Sequence, residues 1–86
     1  MYKLYFEKEA EKEFSKLPKH IQKIIKDKLD ILSQHPELLK NNIKTLKGNY
    51  KGLKRLKVGK YRIIFEEREK ELIILIIRIA HRREVY

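Results

Sequence analysis

The chain predicts an α+β fold in the order β-α-α-β-β-β, with two N-terminal helices packed on one face of a mostly antiparallel sheet. Three observations predict it. Apolar residues recur at helical spacing from Ala10 to Leu32. Short β-branched runs separated by turn residues fill the second half of the chain. Pro18 and Pro36 punctuate the helical half. With 86 residues there is room for one small domain spanning residues 1–86, and no room for a second core.

Each element has its own signal. Tyr2 to Phe6 is short and aromatic-rich, which suits a strand. Glu7, Glu9, Glu11 and Glu13 then place acids at the positive end of a first helix, with Ala10, Phe14 and Leu17 along one face. A second helix follows Pro18, with Ile21, Ile24, Ile25, Lys28, Leu29 and Leu32 marking out one face. His35-Pro36 stops it. Glu37 to Gly48 reads as a linker with a helical turn. Leu53 to Val58 and Tyr61 to Glu66 form a hairpin about Gly59-Lys60, where Gly in the first loop position suits a type II′ turn. Glu67 to Lys70 is the next turn. Leu72 to Ile79 is apolar on both faces, as expected of a strand in the middle of a sheet.

Composition narrows the function. The chain has 22 Lys and Arg against 12 Asp and Glu, a formal net charge of +10. Residues 1–43 carry 9 basic and 7 acidic side chains, and residues 44–86 carry 13 and 5. Between Glu37 and Glu66 there are nine Lys or Arg and no acid. Such a block repels itself unless an anion meets it. Nucleic acid is the expected partner, because neutralised phosphates release counterions. A solvated basic surface serving solubility is the competing reading. The absence of Cys excludes disulfides, thiolate metal sites and a Cys nucleophile. No His and carboxylate spacing suggests a metal, and no glycine pattern suggests a phosphate loop. No metal and no cofactor are therefore expected. The longest apolar run, Leu72 to Ile77, is six residues, too short to span a bilayer. The first residues lack the apolar core of a signal peptide, so a cytoplasmic location is expected, with no membrane association.

Hairpin arithmetic sharpens the charge pattern. With a two-residue loop, Val58 pairs with Tyr61, Lys57 with Arg62, Leu56 with Ile63 and Arg55 with Ile64. Opposed residues share a face. Leu56, Val58, Tyr61, Ile63 and Phe65 then form a core face, while Arg55, Lys57, Arg62 and Ile64 form the other. Three cations on one open face suggest a seat for phosphate. A one-residue slip would break up the cluster. The tail from Ala80 to Tyr86 adds His81, Arg82, Arg83 and Tyr86. Imidazole changes charge near neutrality, so His81 can serve as acid or base. Tyr86 can stack on a base. An ordinary charged chain end is the competing reading.

The stretch Leu53 to Phe65 resembles the central hairpin of RelE toxins. His81 to Tyr86 resembles their C-terminal signature, and Leu46-Lys47-Gly48 is similar to their upstream segment. The resemblance implies a RelE family toxin of a bacterial or archaeal type II toxin–antitoxin system. It implies cleavage of mRNA in the ribosomal A site without a metal, by attack of the ribose 2′-hydroxyl on the adjacent phosphate. On this resemblance the catalytic positions are Arg55, Lys57, Arg62, His81, Arg82 and Tyr86, and the substrate-binding ones Lys47, Lys54 and Arg83. Arg stays protonated and serves poorly as a base, so Lys54, Lys57, His81 or activation by charge alone remain as alternatives. The implied partners are the ribosome and an acidic, RelB-like antitoxin covering the cationic face. A ParE-like inhibitor of DNA gyrase and a non-catalytic RNA- or protein-binding module on the same fold are the alternatives.

Overall fold

A computed structural model describes residues 1–85. It contains the expected α+β arrangement, with one strand and one terminal helical turn beyond it. β1 (Lys3–Phe6) leads into α1 (Lys8–Ser15) and α2 (Lys19–Gln34). A 3₁₀ stretch (Pro36–Asn42) precedes β2 (Ile43–Thr45), and a 3₁₀ turn (Gly48–Tyr50) precedes β3 (Lys54–Val58). β4 (Tyr61–Arg68), β5 (Ile73–His81) and α3 (Arg82–Val85) complete the chain. The sheet order is β1-β5-β4-β3-β2. Among the described residues, only the β1–β5 pair is parallel.

Two details differ from the sequence expectation. The strand expected from Tyr61 to Glu66 runs to Arg68, and the linker from Glu37 to Gly48, which has its expected helical turn at Pro36–Asn42, also holds the short strand β2. β4 runs on to Arg68 because Glu67 is tied across the sheet: its carboxylate accepts from Lys54 Nζ at 2.9 Å and from the Tyr2 hydroxyl at 2.8 Å. β2 exists because the outer edge of β3 is open to pairing. Ile43 opposes Leu56 and Lys44 opposes Arg55 there.

The hairpin has the expected register, from Val58 opposite Tyr61 to Arg55 opposite Ile64. Gly59 has φ +58 and Lys60 is not left-handed, the combination a type II′ turn requires. Lys57 faces Arg62 directly. That juxtaposition costs tenths of a kcal/mol to about 1. Burying Leu56, Val58 and Ile63 on the other face stabilises by about 1.5–3 kcal/mol for each full-sized side chain. The apolar face therefore holds the register against the repulsion.

The core lies between the helices and one sheet face. Ala10 of α1 and Ile25, Leu29 and Leu32 of α2 pack over Leu56, Ile63, Phe65, Ile74, Ile76 and Ile79. α1 and α2 both pack on this side, and the 3₁₀ turn Gly48–Tyr50 borders the opposite face. A bulge controls which β5 residues reach each side. Phe65 opposes Ile76, but Ile64 opposes Arg78, so Ile77 is an extra residue. Beyond it the alternation is reversed. Ile79 enters the core, and Arg78 and Ala80 go to the open face beside Ile64 and Arg62.

α1 closes the edge that β1 leaves. The last parallel link is the Glu7 N–H to the Ile76 carbonyl, at 2.9 Å. Past it, Glu13 takes the place of a strand. Its carboxylate accepts from the Ile79 N–H at 2.8 Å and from Arg78 Nη2 at 2.7 Å. Glu13→Ala is expected to cost about 2 kcal/mol, because it strands a half-buried guanidinium and a strand N–H together. Chemical denaturation checks this; a loss under about 0.5 kcal/mol, the scale of an ordinary surface change, would remove the assigned role.

Candidate phosphodiester site on the open face

β2, β3 and β4 present a cationic row across the open face. Lys44, Arg55 and Ile64 are neighbours in one cross-strand row, and Lys57 and Arg62 in the next. The loop between β2 and β3 folds over their end. Together they enclose a cleft of about 520 Å³ lined by Lys44, Thr45, Leu46, Lys47, Tyr50, Arg55, Lys57 and Arg62. Five of these are cations and none is an acid. Among the described residues, none of the five has a carboxylate within ion-pair distance. Arg55 Nε is buried and has no hydrogen-bond partner among the described residues. A buried guanidinium donor left unpaired is costly, and an arriving anion would satisfy it.

Arg62 is held in place. Its Nη1 donates to the carbonyls of Gly59 and Tyr61, each at 3.0 Å. The turn thereby fixes the guanidinium beside Lys57. Such fixed donors can stabilise charge that develops on a phosphate without reorganising as it forms.

Not all of the expected residues reach this cleft. Arg55, Lys57, Arg62 and Lys47 do. Lys54 does not: strand alternation puts it on the helix side, where Glu67 neutralises it at 2.9 Å. His81 also lies on the other side, opposite Tyr61, because of the Ile77 bulge. The two rings meet edge to face with centroids 5.7 Å apart. His81 and Arg83 line a separate cleft of about 650 Å³ that also contains Glu9, Glu13 and Lys16. Arg82 is exposed, and its N–H donates to the Lys60 carbonyl at 2.8 Å, so the tail does abut the hairpin turn. Tyr86 lies outside the described residues. Lys44 and Tyr50 also line the cleft and are not among the residues the sequence points to, because both fall in or beside the linker stretch 37–48. The alternation of Ile43, Lys44 and Thr45 was the available signal.

Among the described residues there is no group of three or more His, Cys, Asp or Glu that could hold a metal ion. No described helix is long and apolar enough to cross a membrane.

Titration follows the ion pairs. Burial pushes the Glu67 carboxyl up, but hydrogen bonds from Lys54 and Tyr2 outweigh it and leave the group below the usual carboxylate range. The bond to Glu67, with burial, holds the Tyr2 phenol above its ordinary value. The depressed carboxyl contributes stability that is present above the ordinary glutamate range and lost as pH falls below about 4. The raised phenol contributes stability lost as pH rises above about 10. Glu67→Gln is therefore expected to flatten the acid side of a stability–pH profile measured by urea denaturation. An unaltered acid limb would remove Glu67 as its source. The Glu13 carboxylate holds the Arg78 guanidinium above its ordinary value against the opposing effect of burial, and Tyr50 adds to this.

The model of the family described as the ParE toxin of type II toxin–antitoxin systems matches residues 4–86, nearly the whole chain. The chain belongs to that family, within the RelE/ParE superfamily. Solved structures agree. The toxin is similar to the archaeal RelE–RelB complex of Pyrococcus horikoshii OT3, at 26% identity and a TM-score of 0.79, covering 98% of each chain. It is similar to the RelB–RelE antitoxin–toxin complex of Methanococcus jannaschii, at 31% identity and a TM-score of 0.73, covering 95% of this chain and 94% of that one. The intact E. coli RelBE complex shares the fold at 23% identity and a TM-score of 0.77, over 94% and 96% of the two chains. No curated protein matches significantly. The chain is thus a toxin of the type II toxin–antitoxin class.

Proposed function

We propose that the toxin is a ribosome-dependent mRNA endonuclease that cuts the message in the ribosomal A site. The observation that carries this reading is the cleft on the sheet face opposite α1 and α2, lined among the described residues by five cations and no acid. The reaction needs no metal. The 2′-oxygen attacks the adjacent phosphorus and gives up its proton. The P–O bond to the 5′-oxygen breaks, and that oxygen takes up a proton. The products are a 2′,3′-cyclic phosphate and a 5′-hydroxyl.

In this reaction Arg55 and Arg62 stabilise the doubly charged phosphorane, and Lys47 holds the flanking backbone. Lys57 is the candidate base within the cleft, since a neutral amine can accept a proton and a guanidinium cannot. Activation by charge alone is the alternative. Arg82 would act from the tail beside the hairpin turn, near the leaving oxygen. Tyr86 is assigned base stacking by resemblance only. His81, Arg83 and Lys54 stand apart from the cleft, so any part for them requires the substrate to pass round the sheet edge. An acidic, RelB-like antitoxin is proposed as the partner that restrains the toxin. Relatives solved as RelE–RelB complexes and the +10 charge both support it. Action on the ribosome would place the protein in the cytoplasm.

The match to the ParE family model favours a second reading, an inhibitor of DNA gyrase. Two assays run side by side separate them. Purified toxin is added to translating ribosomes, with mRNA ends mapped, and to gyrase, with supercoiling followed. Cut message with undisturbed supercoiling is expected. Intact message with blocked supercoiling would replace the first reading by the second, and activity in neither would leave a binding module.

A further inference from the structure

We infer that Tyr50 is a stacking platform for the RNA base beside the phosphodiester held in the cationic cleft, which rests on the RNA-cleaving reading above. The cations of the cleft recognise phosphate charge and nothing else. A strand held only by its phosphate can turn about it, and in-line attack requires the ribose to be fixed. An aromatic face built into the cleft itself, apart from the stacking assigned to Tyr86, supplies such a restraint, and every base offers a π-face to it.

Tyr50 is the aromatic residue of that cleft. The other tyrosines with described side-chain partners are engaged in the fold. Tyr2 donates to Glu67, and Tyr61 packs on His81. Tyr50 has no aromatic partner among the described residues and is only half-buried. Its loop is built to hold it. The Leu46 N–H donates to the Leu53 carbonyl at 3.0 Å and closes the loop's ends. Within it, the Lys51 N–H reaches the Gly48 carbonyl at 3.1 Å and the Leu53 N–H reaches the Tyr50 carbonyl at 3.0 Å. Gly48 and Gly52 supply left-handed backbone on either side, at φ +68 and +90. A loop tied in this way presents the ring with little entropy left to lose on binding.

The test compares a short single-stranded RNA, 2′-O-methylated so that it cannot be cut, with the same strand lacking its bases. Binding of each to the wild-type toxin, Tyr50→Ala and Tyr50→Phe is measured at low salt. Tyr50→Ala is expected to weaken binding of the base-bearing strand about tenfold, the scale of one lost stack. Tyr50→Phe should stay within about twofold of wild type, and the abasic strand should bind wild type and Tyr50→Ala alike. Equal weakening of both strands by Tyr50→Ala would mean a structural role and overturn the inference. Unchanged binding of both would overturn it too, while leaving the phosphodiester seat standing. If neither strand binds the wild-type toxin, the inference of a preformed base platform fails, while the cleavage reading is decided separately by mRNA ends mapped on ribosomes.

Discussion

Arg62→Ala is expected to lower mRNA cleavage by more than about 10²-fold, the usual cost of removing one preorganised donor to a developing oxyanion. Arg62 is suited to that part. It faces Lys57 across the hairpin, lines the acid-free cleft, and has one nitrogen anchored to the Gly59 and Tyr61 carbonyls. The anchoring fixes the fork and leaves its remaining donors for substrate. The variant should remain folded. Losing two partly exposed hydrogen bonds costs about 1 kcal/mol, and relief of the repulsion with Lys57 offsets part of it. Arg62→Lys keeps the charge and loses the planar fork, so an intermediate loss of about tenfold is expected. Single-turnover cleavage on programmed ribosomes, beside a denaturation curve, measures both effects. Wild-type rates in a folded Arg62→Ala protein would refute the role.

Phe65→Ala is expected to destabilise the fold by about 3–5 kcal/mol. Phe65 is 1% exposed and sits where β4 meets the bulge of β5, beneath the helices. Truncation leaves a cavity bounded by strand backbone on one side and packed helices on the other, which can collapse only in part. A domain of this size has about 5–15 kcal/mol in total, so the variant should be marginal at physiological temperature. Phe65→Leu keeps most of the volume and should lose less. The side chain points away from the cationic cleft, so whatever fraction stays folded at low temperature should retain RNA binding. Urea midpoints with unchanged slopes would show the loss as one of stability. A shift under about 1 kcal/mol would mean the core is assembled differently.

How much could be read beforehand differs from element to element. The hairpin was legible because Gly59 fixes the loop at two residues, and loop length fixes register. From the register came the grouping of Arg55, Lys57 and Arg62. β2 was not legible. Three residues carry too short a pattern, and Ile43–Thr45 becomes a strand only because the edge of β3 accepts it. Lys44 and Tyr50 were missed with it. Lys54 entered the site by resemblance alone; strand alternation puts it opposite Phe65 on the core side, and its partner Glu67 lies thirteen positions away. The tail meets the hairpin as expected, through Arg82 and Lys60, but Ile77 adds one residue to β5 and turns His81 to the core side. A bulge reverses every later side chain, and a run of isoleucines and leucines gives no sign of where it falls.

The central claim is that a phosphodiester is held by the cleft on the open face, not by the basic surface at large. Lys54 provides the contrast, being a cation adjacent to Arg55 in the chain yet paired with Glu67 on the other side of the sheet. The most direct measurement maps mRNA 3′-ends on translating ribosomes, in chelator, with wild type, Arg62→Ala and Lys54→Ala. Ends bearing a 2′,3′-cyclic phosphate with wild type and Lys54→Ala, and their near-absence with Arg62→Ala, are the predicted result. Intact message with saturating wild type, or equal losses in the two variants, would contradict it.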